Sequence, residues 1–257
     1  IAKKFHREKK GRVVEALRED PGAASAIAKA RDAGCAFASN GLPQCNEDNV
    51  IRILTHERAP YHYDEFMECA VHAGRTLNSG DYARLLIRLQ REYGMPKLTL
   101  SKVAIALDAY IQEHTGNIAQ DWLRSLQWDA TPRLASLCPM GFGTADDEYY
   151  RAVGRCFFMG MVKRVLEPGC EVKAMPVLEG AENIGKTRAL QIIGGEWYGA
   201  CNEKILDKDF LQLMPGKMLL NISEMHSFSR TEVARMKAII STPRDRYRPT
   251  HGRKSDV

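Results

Sequence analysis

Gly180-Ala181-Glu182-Asn183-Ile184-Gly185-Lys186-Thr187 is the stretch on which the fold turns. It matches the pattern G-x-x-x-x-G-K-[ST], and its flanks supply the context that pattern needs. Ahead of it, Ala174-Met175-Pro176-Val177-Leu178 is an apolar run that reads as a buried strand. Behind it, Arg188 to Ile193 reads as a helix stopped by Gly194 and Gly195. Strand, glycine loop and helix in that order predict a phosphate cradle. Glycine at 180 and 185 permits the tight turn that points successive amide hydrogens at one anion, and the helix amino end adds favourable partial charge. Lys186 is placed to reach the β- and γ-phosphates and the Thr187 hydroxyl to hold Mg2+, so ATP with Mg2+ is the expected ligand. Ala181, Glu182, Asn183 and Ile184 complete the cradle, with Glu182 expected to turn its charge to solvent.

Downstream, Pro215 and Gly216 open the segment Lys217-Met218-Leu219-Leu220-Asn221-Ile222-Ser223-Glu224, whose apolar residues suit a buried parallel strand. Ligands in open α/β sheets gather at the carboxyl ends of strands, which brings Glu224 towards the phosphates as the metal and water carboxylate. Asn221 and Ser223 are candidates for the metal shell or for satisfying backbone groups, and His226 reads as a local hydrogen-bonding residue. Ser229 and Glu232 form an S-x-x-E capping pattern ahead of Val233, Met236 and Ile240, predicting a helix. The cationic run from Thr242 to Lys254, with Arg244, Arg246, Arg248 and Arg253, offers an arginine to a neighbouring subunit's nucleotide, a contact to nucleic-acid phosphate, or a solvated basic turn.

The amino-terminal part reads as helices. Residues 1–20 are a basic lead-in, helical or solvated, and an Ala-rich helix followed by a loop around Asn40, Gly41 and Pro43 is expected between Pro21 and Asn49. Further helices are expected over Asp64 to Ala73, Asp81 to Tyr93, from a cap at Ser101 up to Gly116, and Asp147 to Leu166. The last carries Tyr150, Val153, Phe157, Met161 and Val165 towards a core. The fold class expected is α/β, a P-loop core with a parallel sheet incomplete at its carboxyl end, preceded by an all-helical layer. The divisions are 1–59 as lead-in, 60–170 as helical domain and 171–257 as P-loop core.

The 257 residues are 44% hydrophobic and 27% charged, enough for one large core or a helical domain joined to a second. Seven cysteines lie far apart with no CxxC pair, which reads as reduced thiols in a cytoplasmic protein. No apolar run approaches the ~20 residues that span a bilayer. The chain begins at Ile1 without a signal-peptide core, as a fragment would. The formal charge of +5 permits attraction to nucleic acid without demanding it.

Trp128-Asp129-Ala130-Thr131-Pro132-Arg133-Leu134, Tyr150 to Arg155, Pro168-Gly169-Cys170, Gly194 to Tyr198, Lys208-Asp209 and Asp245 to Pro249 together resemble the virulence-associated protein E family of phage, plasmid and pathogenicity-island proteins. The resemblance covers Trp128 to the end closely and the helices from Pro60 onward loosely. It implies kinship with superfamily 3 helicases, a homo-oligomeric, hexameric ring acting on single-stranded DNA, and a primase fused to it or separate. It also implies Gly185, Lys186 and Thr187 as phosphate and Mg2+ residues, Glu224 as the Walker B carboxylate, and Arg246, Arg248 or Arg253 as the arginine acting in trans. Two positions depart from the family pattern: Asn221 stands where Glu is usual, and Ala130 where Gly is usual. The chain ends at Val257 ahead of the strand that would carry the family's T-T-N sensor, so ATP binding is expected more firmly than turnover. Two other functions fit the same cradle, a nucleotide-dependent assembly or phage-interference module and a small-molecule kinase.

Overall fold

A computed structural model describes residues 21–172, 174–201, 209–223 and 230–241 of the protein. Contacts divide the chain into two compact units, Ile1–Glu65 with Cys69–Gly116, and Phe66–Glu68 with Asn117–Val257. These units follow packing, whereas the divisions at 59/60 and 170/171 followed motif content.

The first described helix of the first unit is α1 (Pro21–Asp32), which buries Ala26 and Ala30. Next comes α2 (Glu47–His56), capped by the Asn46 side chain accepting from the Asn49 amide. Asn49 itself is fully buried, yet satisfied. Its Oδ1 accepts from the Ala36 amide at 2.7 Å and its Nδ2 donates to the carbonyls of Ala36 and Gln44, both at 2.8 Å. That side chain pins the turn region around Asn40 to Pro43 onto α2, as a buried amide must be paired to be tolerated.

Four short strands follow, two of them within stretches expected as helix. β1 (Tyr61–Asp64) and β2 (Cys69–His72) form an antiparallel hairpin with Tyr61 opposite His72. β3 (Arg75–Thr76) continues the meander, and β4 (Thr115–Gly116) joins β1 in parallel, giving the order β3-β2-β1-β4. Asp64 to Ala73 is therefore no helix, and the region is not an all-helical layer. The correction has a local cause: Glu68 and Ala73 both take positive φ, near 50°, which breaks any helix and closes two reversals.

Two helices cover this sheet. α3 (Ser79–Glu92) starts in a capping box formed by Asn78 and Asp81. α4 (Leu100–Glu113) starts one residue before the expected Ser101 cap, after Thr99 and with no side-chain cap. α4 packs on α2, α3 and β1, and Val50, Ile53, Leu89, Met95, Val103, Ala106 and Leu107 lose all solvent contact between them. The Tyr110 hydroxyl reaches the Ala59 carbonyl at 3.1 Å, satisfying its polar end in that core.

The second unit contains α5 (Ile118–Ser125), a short 3-10 turn (Leu134–Ser136), α6 (Leu137–Phe142) and the long α7 (Glu148–Leu166), capped by Asp147. Of the five side chains expected to point α7 into a core, only Val165 is fully buried and the others are half-buried. The Gln120 side chain donates to the Val165 carbonyl at 2.9 Å, joining α5 to the end of α7. After the glycine loop come α8 (Lys186–Gly194), a 3-10 turn (Gly195–Trp197) and β5 (Tyr198–Cys201). α9 (Asp209–Gln212), β6 (Leu219–Ile222) and α10 (Arg230–Ser241) are its remaining described elements.

β5 and β6 pair in parallel, from Tyr198 opposite Leu219 to Cys201 opposite Ile222. This two-stranded sheet is all of the parallel core present among the described residues, so the architecture is mixed α/β with small sheets. Ala174 to Leu178, expected as a strand, pairs with no strand among the described residues. Met175 nonetheless packs in the cluster of Cys201, Phe210, Met236, Leu220 and Ile222, so the segment runs against the sheet side chains without joining its ladder. Among the described residues no helix is long and apolar enough to cross a membrane.

Candidate functional site

The glycine loop connects that unpaired segment to α8. Gly180 has φ near 150° and Gly185 φ near 95°, conformations that L side chains rarely adopt. At Gly180 space is also short, because a Cβ would lie 2.7 Å from Ile184 Cδ1. Gly185 is the residue before α8, and the first intrahelical bond runs from the Ala189 amide to its carbonyl at 2.9 Å. The amides of Lys186, Thr187 and Arg188 consequently have no acceptor within the helix and point out of its amino end.

Lys186 lies over this opening. Its ammonium donates to the carbonyls of Gly180 and Ala181, both at 2.8 Å, so the loop's first residues hold the charge that begins the helix. Those two carbonyls are exchangeable acceptors, and an arriving oxyanion offers stronger charge-assisted ones. Glu182 and Thr187 are both exposed, the first free to keep its carboxylate in water and the second to present its hydroxyl. Positive φ at Asn183 and the glycines, free amides, an ammonium and an exposed hydroxyl fit a triphosphate with Mg2+ in donor chemistry.

Behind the loop, α8 packs against β5 and β6. Gly194 makes this approach close, since a Cβ there would sit 2.8 Å from Tyr198 Cβ and 3.3 Å from Leu219 Cβ. On the sheet, the Asn221 side chain donates to the Tyr198 hydroxyl at 3.2 Å, a cross-strand pair absent from the sequence reading because β5 was itself unread. Tyr198-Gly199-Ala200-Cys201 holds two poor strand formers, and only its pairing with β6 identifies it.

Glu224, Arg246, Arg248 and Arg253 lie outside the described residues, as do His226 and the Ser229 cap. The expected carboxylate and arginines are therefore placed by chain position alone, with Glu224 two residues beyond the end of β6. Among the described residues no group of three His, Cys, Asp or Glu side chains could hold a metal by itself.

The Trp128 to Arg133 loop forms its own braced unit. Asp129 accepts two bonds from the Arg133 guanidinium, at 2.8 and 2.7 Å, and one from the Thr131 amide at 3.0 Å. The arginine bonds, with help from that amide, pull the Asp129 carboxyl down to about 2. The Trp128 indole N–H donates to the Thr131 carbonyl at 3.2 Å while the side chain stays largely exposed. Ala130 takes φ 62°, the left-handed region, which gives a physical reason for glycine at this point of the motif.

A family model described as the virulence-associated protein E-like domain matches residues 123–257, which includes this loop, the glycine cradle and both parallel strands. No curated protein matches the chain.

Proposed function

The chain belongs to the virulence-associated protein E-like family, whose model covers more than half its length, and on that premise we propose that it is an ATPase of a phage or mobile-element replication protein that couples hydrolysis to movement along single-stranded DNA. The observation that carries the reading is the Lys186 ammonium held across a glycine loop at the free amino end of α8. In this reading ATP places its β- and γ-phosphates on the amides of Lys186, Thr187 and Arg188, and Lys186 exchanges its two carbonyl acceptors for phosphate oxygens. Mg2+, when bound with ATP, supplies further neutralisation of the phosphate charge, and Thr187 is the loop's hydroxyl able to hold it. Glu224 orients or deprotonates the attacking water, and Arg246, Arg248 or Arg253 reaches a neighbouring copy in a homo-oligomeric ring. A primase, fused or separate, is the partner this role calls for.

The test is phosphate release from ATP by the purified protein, with and without single-stranded DNA. Stimulation by DNA is expected, with Glu224→Gln retaining ATP while stopping release. Unstimulated activity together with absence of DNA binding at low salt would sink the translocase reading. Phosphate appearing on a small acceptor instead of in water would point to a kinase.

Asn221 favours a second reading, nucleotide-dependent assembly or phage interference without movement along DNA. Its amide engages Tyr198 where the family usually carries a carboxylate, so the described part of β6 brings no acidic group to the cradle. Under that reading Glu224→Gln leaves assembly and biological effect intact, whereas Lys186→Ala removes both.

A further inference from the structure

The first unit holds a cleft of about 300 Å³, at the lower end of the range for ligand sites, bounded by the end of α2, the β1–β3 meander and α3. Asp81, Arg84, Leu85 and Arg88 line it from α3, at spacings of three, four and seven residues that put them on one helix face. Leu85 is buried on that face, as a core-facing stripe requires, yet its neighbours on either side are arginines. Arg75 reaches the same cleft from β3, so three guanidiniums converge from two elements.

Two carboxylates set their positions. Asp81, almost entirely buried, accepts from Arg75 through both carboxylate oxygens, from Arg84 at 2.7 Å and from the Asn78 amide at 2.9 Å. Glu57 accepts from both terminal nitrogens of Arg88, at 2.6 and 2.8 Å, and from the Tyr93 hydroxyl at 2.6 Å. Each guanidinium carries five N–H donors in a rigid fork, and these bonds use only part of that set. Arg84 keeps most of its donors, and its side chain is 65% exposed. Arg75, Arg84 and Arg88 against Glu57 and Asp81 leave one positive charge in excess, in a wall completed by His72 stacked on Tyr61 at 4.2 Å.

We propose that this cleft binds a phosphate oxyanion, carried by a free polyphosphate or by the backbone of single-stranded nucleic acid. Guanidinium forks fixed in advance by the buried Asp81 and the half-buried Glu57 lose little entropy when they take a tetrahedral oxyanion, and such an anion has enough acceptors for donors arriving from both β3 and α3. The site stands apart from the reading of the glycine loop, so either survives the failure of the other.

The experiment is run in Lys186→Ala protein, which silences the glycine loop, using tripolyphosphate by calorimetry and a labelled single-stranded oligonucleotide by fluorescence anisotropy. Arg84→Gln leaves Asp81 paired with Arg75 and the Asn78 amide, and the melting curve checks that it folds. Arg52→Gln, which removes the same charge from an exposed pair with Asp48 outside the cleft, is the control. Arg84→Gln is expected to weaken binding about tenfold, as losing a charge-assisted hydrogen bond does, with Arg84→Lys intermediate and Arg52→Gln within about twofold. The oligonucleotide arm should also lose about 0.7 from its log-affinity against log-salt slope. Loss of affinity for tripolyphosphate alone assigns the site to free polyphosphate, and loss in the oligonucleotide arm assigns it to the backbone. Equal weakening by the Arg84 and Arg52 changes, or binding of neither probe, overturns the proposal.

Discussion

The two units invest their apolar side chains differently. In the first, Val50, Ile53, Leu54, Leu89, Met95, Val103 and Leu107 form one continuous core of side chains with no or almost no solvent exposure. In the second, the buried clusters among the described residues are small, one around Cys201, Phe210 and Met236 and another around Ala119, Val165 and Trp197. There Trp128, Met140 and Ile192 remain 77%, 79% and 68% exposed. Hydrophobic stabilisation scales with apolar area removed from water, so on the described residues the first unit is expected to carry more stability per residue and the unit with the glycine loop to open more easily. Functional loops belong to the low-stability end of a structure, and the nucleotide chemistry proposed for the glycine loop falls in that second unit.

The largest effect that tests this contrast is Leu107→Ala, which empties a fully buried site on α4. It should cost about 2–5 kcal/mol in urea denaturation, with faster amide exchange across α2, α3 and α4. Ile193→Ala on α8, where the side chain is only half-buried, should cost about 1 kcal/mol, since less apolar surface is lost. Equal costs at the two positions would erase the difference between the units.

Next in size is Lys186→Ala. Losing charge-assisted bonds to phosphate should weaken ATP binding about a hundredfold, or roughly 2.7 kcal/mol, measured by calorimetry. Because Lys186 bonds the loop carbonyls alone among the described residues, the melting of the first unit should not move. A shift of that melting would mean that the glycine loop supports more than its own unit.

What could be read without coordinates divides along similar lines. The glycine loop, α3, α7 and β6 announce themselves through local patterns, namely G-x-x-x-x-G-K-T, the Leu85, Leu86 and Leu89 stripe ended by Gly94 and Pro96, the helical spacing from Tyr150 to Val165, and an apolar run after Pro215-Gly216. The β1–β2 hairpin was hidden because Glu65, Met67, Glu68 and Ala70 are good helix formers, and the reversals at Glu68 and Ala73 with cross-strand pairing of Tyr61 and His72 override them. β5 was hidden for the converse reason, being only four residues long with Gly199 and Ala200 at its centre. The cleft's signal, D-x-x-R-L-x-x-R over Asp81 to Arg88, is visible in sequence but reads as an ordinary solvated face until β3 brings Arg75 to it. Of the candidate site, the glycine loop and the helix behind it were legible, the strand ahead of it was not, and Glu224 and the arginines remain placed by chain order.

Acid provides a smaller test of the packed unit. Burial pushes the Glu57 carboxyl upward, but hydrogen bonds from Arg88 and Tyr93 outweigh it and leave the pKa below its ordinary value. A depressed carboxylate contributes stability that is fully present above its unfolded pKa and lost as pH falls through its folded one. Melting temperature of the first unit should therefore decline as pH drops below the ordinary glutamate range, and Glu57→Gln should flatten that decline. The magnitude is expected to stay below that of Leu107→Ala. An unchanged acid slope in Glu57→Gln would show that the Arg88 pair adds nothing net to the packed unit.

The smallest effect tests the exposed side of the comparison. Ile192 sits near the end of α8 with 68% of its surface open, so replacing it with lysine removes little buried apolar area. Lysine is also the better helix former, because an unbranched Cβ keeps rotamer freedom that isoleucine loses against the preceding turn. Ile192→Lys should change unfolding free energy by less than about 0.5 kcal/mol and lower any self-association seen by sedimentation. A cost near 2 kcal/mol in dilute monomeric protein would mean that the side chain is buried in solution, as a fully covered isoleucine would be. The second unit would then be as well packed as the first, and the assignment of lower stability to the nucleotide loop would lose its basis.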